Sequence, residues 1–143
     1  MIAAYFDSSA IVKLYADELH NEAVRGLAEV PICTSLARVE VTAAFFGKAR
    51  SGEISVDVAE VLRDVFLADW DEGRFLHIAP TEPIETEAAR LASVHMVRGF
   101  DLVHLATALA ARRAVPELAL FVCFDKRLSQ AAVSEQFELL SAT

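Results

Sequence analysis

Apolar positions along the chain recur with two periods. Short segments at residues 2–6, 30–34, 75–79, 118–124 and 137–140, apolar throughout at 2–6, nearly so at 118–124 and apolar-rich in the others, are read as strands. Between them lie longer stretches with helical spacing. The first run ends in Asp7-Ser8-Ser9, capping side chains placed where a helical pattern (Ile11, Val12, Leu14, Tyr15) begins. Helices are predicted over 21–29, 36–50, 56–71, 84–97, 101–114 and 126–134. Ser35 is read as the cap of the third helix, whose apolar positions are Leu36, Val39, Ala43 and Phe46, with Ser51-Gly52 closing it. In the fourth, Val58, Val61, Leu62, Val65 and Phe66 share a face, and Gly73 follows its end. Gly99 is read as the break between the 84–97 and 101–114 helices.

Strands alternating with helices predict a parallel sheet covered on both faces, an α/β fold of one domain over residues 1–143. The almost wholly apolar run 118–124 suits a strand buried on both sides. With 143 residues, 55% of them hydrophobic, a compact chain buries roughly 68–70% of its unfolded surface without a metal or disulfide staple. Cys33 and Cys123 lie in apolar contexts without CxxC spacing and are read as buried core thiols in a reducing compartment. No secretory leader pattern and no membrane-length apolar run occurs, so a cytoplasmic protein is expected.

Charge narrows the chemistry. Thirteen Lys and Arg against 21 Asp and Glu give a net charge of −8, which excludes coating nucleic acid by bulk electrostatics. In parallel α/β folds the site lies outside the carboxyl ends of the strands, and the reactive side chains there are carboxylates. Asp7 follows the first strand, Asp125 follows the fourth, Asp101 opens the late long helix, and Glu40 stands at the edge of the apolar stripe of the third helix. Singly, the three aspartates are explained as helix caps, and Glu40 as half of a buried ion pair with Lys13 or Arg38. Together, acids within ~5 Å of one another would repel by roughly 3 kcal/mol per pair at an effective dielectric of about 20, and such a cluster requires cations. All-oxygen ligation selects magnesium or manganese over zinc. The four histidines offer no zinc spacing; His104, one turn beyond Asp101, is read as a packed or supporting residue.

The stretches FDSSAIVKLYADE (6–18), TSLARVEVTAAF (34–45), RGFDLVHLATALA (98–110) and FVCFDKRL (121–128) resemble, in order and spacing, the PIN-domain ribonucleases, in particular VapC-type toxins of toxin-antitoxin pairs. The resemblance implies a three-layer α/β/α PIN-like fold. It also implies that Asp7, Glu40, Asp101 and Asp125 surround Mg2+ or Mn2+ and direct hydrolysis of RNA by a metal-activated water, with Ser9 as a hydrogen-bonding hydroxyl beside the first acid. A cognate VapB-type antitoxin and a homodimer are implied by the same likeness. The chain departs from the family at Cys123, where Thr is common, at Phe124, where a smaller residue is usual, and at Leu102-Val103, where an Ala-containing pair is frequent.

Arg98, Lys126 and Arg127 are placed to guide an RNA backbone, and the apolar residues of helices 36–46 and 56–66 are candidates for an interface. Two other readings remain open at this point. A haloacid-dehalogenase-like phosphohydrolase also places Asp after its first strand, but its chemistry wants a second Asp where Ser9 stands. A catalytically silent PIN-like binding module would need none of the four acids.

Overall fold

The computed structural model describes residues 2–140. Five parallel strands form one sheet: β1 (Ala4–Phe6), β2 (Ile32–Thr34), β3 (Leu76–Ile78), β4 (Leu120–Val122) and β5 (Glu138–Leu139), in the order β3-β2-β1-β4-β5. The helices are α1 (Ser8–Tyr15), α2 (Asn21–Val24), α3 (Ala37–Arg50), α4 (Val56–Asp71), α5 (Glu82–Leu91), α6 (Gly99–Ala114) and α7 (Lys126–Ser134).

Strand alternation divides the core in two. Tyr5, Ile32 and Phe121 pack with Ile84, Leu91, Leu105 and Leu128 from α5, α6 and α7. Their sequence neighbours Ala4, Phe6, Cys33 and Val122 pack on the opposite face with Ile11, Val41, Phe45 and Phe66 from α1, α3 and α4. Successive strand side chains point to opposite faces, so a sheet covered on both sides needs apolar residues at every position. The result is a three-layer α/β/α fold. Its strand order runs outward one way through β2 and β3 and the other way through β4 and β5, which puts the topological switch between β1 and β4. At such a point the connections diverge and leave a crevice beyond the strand ends.

Several boundaries differ from the sequence reading. The ladders are shorter than the apolar runs. The second helix stops at Val24, because Arg25 is extended and Gly26 adopts φ +74°. Ser35 does not cap α3; Leu36 occupies the cap position, and its N–H donates to Thr34 Oγ1 at 3.3 Å. The 84–97 pattern ends at Leu91 in tightened turns, and Val94 and Met96, which extended the apolar periodicity, face solvent at 58% and 90% exposure. Gly99 is not a break: it lies inside the first turn of α6, outside the left-handed region, so the helix opens two residues earlier than the Asp101 boundary.

On α4 the buried stripe is Ala59, Leu62, Phe66 and Trp70, while Val58, Val61 and Val65 face outward. Cys33 is buried as expected, but Cys123 is only half-buried, because the chain leaves the sheet after Val122 and turns toward the crevice. Among the described residues, no helix is long and apolar enough to cross a membrane.

Candidate active site

The switch point is where the acids meet. Asp7, immediately after β1, caps α1: its Oδ1 accepts from the Ala10 N–H at 2.9 Å and from Ser9 Oγ at 2.7 Å. Asp125, beyond β4, caps α7 by accepting from the Leu128 N–H at 2.9 Å. The capping and the site readings of these two residues are therefore compatible, since a cap uses one carboxylate oxygen. Asp101 does not cap α6. It stands one turn in, at the third helical position, and takes a hydrogen bond from the main chain of Arg98, the reach-back geometry of a capping box. Glu40 projects from the first turn of α3.

All four line one crevice of about 610 Å3, together with Ser8, Ser9, Arg98, Phe100 and His104. The ion pair foreseen for Glu40 does not form, because Lys13 is held by Glu18 and the Leu19 carbonyl. Glu40 Oε1 instead accepts from Ser8 Oγ at 2.7 Å and from His104 Nε2 at 2.9 Å. The His104 ring is fixed in turn by Tyr5, whose hydroxyl lies 2.8 Å from Nδ1. In its neutral form an imidazole that donates from Nε2 to the carboxylate accepts at Nδ1, from the Tyr5 hydroxyl. The buried row Tyr5–His104–Glu40 thus satisfies every polar atom it encloses.

Neither Tyr5 nor Ser8 was singled out from sequence. The signal for Tyr5 was present: a tyrosine inside an apolar strand must find a partner for its hydroxyl. Ser8 is distinguished from Ser9 only by direction, one turning to Glu40 and the other to Asp7. Cys123 touches two of the four acid positions; its Sγ accepts from the Asp125 N–H at 3.3 Å, and its thiol also interacts with Asp7.

Electrostatics separates the acids. Burial pushes the Asp7 carboxyl above its ordinary value, only partly opposed by His104, Ser9 and the Ala10 N–H. Asp101 is raised by burial first and by repulsion from Asp125 next, with Asp7 adding to it. For Glu40, burial also opposes ionisation, but hydrogen bonds from His104 and Ser8 outweigh it and hold the carboxyl below its ordinary range. Among the described residues no Lys or Arg pairs with any of the four; the basic side chain hydrogen-bonded to them is His104, at Glu40.

The donor set fits a hard divalent cation: it is all oxygen, repelling and uncompensated. Glu40 Oε2 and Asp125 Oδ2 accept no hydrogen bond from a described residue. No group of three His, Cys, Asp or Glu among the described residues is already drawn into ligating range.

Comparison with known proteins gives the family. The PIN domain model matches residues 4–134, and the chain belongs to the PIN domain family. It is 35% identical over 136 residues to Ribonuclease VapC45 of Mycobacterium tuberculosis (strain CDC 1551 / Oshkosh), covering 92% of this chain and 90% of that protein. Ribonuclease VapC49 of Mycobacterium tuberculosis (strain ATCC 25618 / H37Rv) is similar to the same extent, 35% over 136 residues with the same coverage.

Proposed function

We propose that the protein is a divalent-metal-dependent endoribonuclease, using Mg2+ or Mn2+, and the toxin of a toxin-antitoxin pair with a VapB-type antitoxin. The reading treats residues 1–143 as a single PIN domain that acts as a homodimer. The observation that carries the catalytic part is the convergence of Asp7, Glu40, Asp101 and Asp125 on one crevice at the topological switch, with no Lys or Arg among the described residues ion-paired to them. Near-full-length likeness to two proteins named ribonucleases supports RNA as the substrate.

Asp7, Glu40 and Asp101 would hold the cation, with Asp125 at the margin. A divalent ion bound there supplies charge neutralisation at the phosphate and activates water for phosphodiester hydrolysis. The chain's own contribution is orientation. Asp7 is locked by two donors on one oxygen, and Glu40 by Ser8 and His104, so neither carboxylate pays rotamer entropy when the cation binds. The Asp101 carboxyl is held above its ordinary value by burial first and by the neighbouring Asp125 carboxylate next, and an adjacent cation favours its charged form. Ser9, donating to Asp7, stands where a dehalogenase-type phosphohydrolase needs its second carboxyl acid.

The test is cleavage of RNA by purified protein with Mg2+ or Mn2+ and with a chelator control. Wild type should cut only with the metal. Asp7→Asn should lose at least about 100-fold in rate, as expected when a group central to transition-state charge stabilisation is removed, while retaining its fold. Wild-type-like cleavage by Asp7→Asn under controlled metal would sink the assignment.

A further inference from the structure

We propose that Phe100 is a base-stacking subsite of the RNA-binding crevice, one that holds an unpaired base, preferentially a purine, beside the scissile phosphate. The proposal rests on the ribonuclease reading above and adds to it the residue that seats the substrate.

Three observations carry it. First, Phe100 is 58% exposed although it belongs to α6, a helix whose neighbouring residues Leu102, Leu105 and Ala106 are buried. Phe100 lines the crevice of the four acids, next in sequence to Asp101. Second, a neighbouring cavity of about 660 Å3 shares Arg98, Asp101 and Asp125 with that crevice and is lined in addition by Lys126 and Arg127. Third, Arg98, Lys126 and Arg127 are exposed, and among the described residues none makes an ion pair. The surface therefore offers an aromatic ring, a set of carboxylates, and a group of uncommitted cations around two neighbouring cavities.

A polynucleotide strand has the matching alternation. Its flanking phosphates need cations and would be repelled by Asp101 and Asp125, so they belong over Arg98, Lys126 and Arg127. Its bases are uncharged and polarisable, and can lie against Phe100 close to the acids without electrostatic cost. Base–aromatic stacking together with a basic track is the general means of holding single strands. Here it gives affinity that does not compete with the cation for the carboxylates. Stacking strength grows with ring area, which gives a purine the advantage at this position.

The experiment uses a short single-stranded RNA carrying 2-aminopurine at each position in turn, bound to the Asp7→Asn protein in the presence of Mg2+ so that the strand is not consumed. One label position should be strongly quenched. Adding Phe100→Ala should abolish that quenching and weaken binding by about 5- to 100-fold, the range that stacking of one base commands. Phe100→Tyr, which keeps the π face, should retain both within about threefold. The proposal is overturned if no position is quenched, if Phe100→Ala binds within about twofold of its parent, or if Phe100→Tyr falls as far as Phe100→Ala. It is equally overturned if Phe100→Ala changes the sedimentation coefficient but not RNA affinity, since the ring would then serve a subunit contact. Quenching at one position by a wild-type protein that cuts no RNA would keep the subsite and remove the ribonuclease reading. Metal-dependent cutting without any Phe100-dependent quenching would do the reverse.

Discussion

Asp7 and Glu40 lie in the same crevice but are tuned in opposite directions, and this has a consequence for stability. The Asp7 carboxyl is raised, chiefly by burial, so the folded state binds its proton more tightly than the unfolded chain does. That contribution is fully present below the unfolded carboxylate pKa of about 3.9 and is lost as pH rises through the raised folded value. Asp7→Asn keeps a competent cap and removes this loss. Without divalent ions, its stability relative to wild type should therefore increase as pH rises from about 4 toward neutrality. Glu40 is lowered despite burial because His104 and Ser8 hydrogen bond to it. Its contribution is present above the unfolded pKa of about 4.3 and is lost as pH falls through the depressed folded value. Glu40→Gln should therefore be less stable than wild type at neutral pH, with the deficit shrinking in acid. Urea unfolding of both variants across that pH range measures the two signs; equal slopes would contradict the assignment of causes.

At the scale of the element, α6 joins the site to the core. It carries Phe100, Asp101 and His104 toward the crevice, and Leu105, Ala106 and Leu109 into the cluster behind the sheet. Leu105 is fully buried, and Leu105→Ala should cost about 2–5 kcal/mol by equilibrium denaturation through lost transfer energy and a cavity. The helix was legible in sequence because its apolar residues recur at helical spacing. Its start was not, because Gly99 was read as punctuation although it takes an ordinary helical conformation. The end of α5 was misjudged for a related reason. Val94 and Met96 continue the apolar period, but both face solvent, and a periodicity count does not register which way a chain turns after its last hydrogen-bonded residue. The same blindness placed Val58, Val61 and Val65 with Phe66, although the stripe that meets the sheet is offset by one position.

For the whole molecule, the net charge of −8 takes on a distribution. Removing the four crevice acids leaves 17 acidic residues against 13 basic ones, or −4, so half of the formal excess is concentrated at one switch point. A cation bound only by the folded state stabilises it by RT ln(1 + [L]/Kd). Millimolar Mg2+ or Mn2+ should therefore raise the thermal midpoint of wild type, a chelator should reverse the rise, and Asp7→Asn should show little of it. An unchanged midpoint across a metal titration would contradict a metal centre in this crevice.

The sequence by itself determined the class of fold and the identity of the acids. Alternating short apolar runs and helical periods specify a covered parallel sheet, and carboxylates after strands or within apolar stripes stand out because burying a charge demands a reason. Only the tertiary structure decided how those acids are held. The partners of Glu40 come from α1 and α6, as many as 64 residues away in the chain. Which serine faces which acid, and that Tyr5 braces His104 rather than merely filling the core, depends on the strand order that brings β1 beside β4 and α6 against the sheet. Local pattern records burial and periodicity; long-range contact records direction, and the chemistry of this crevice depends on direction.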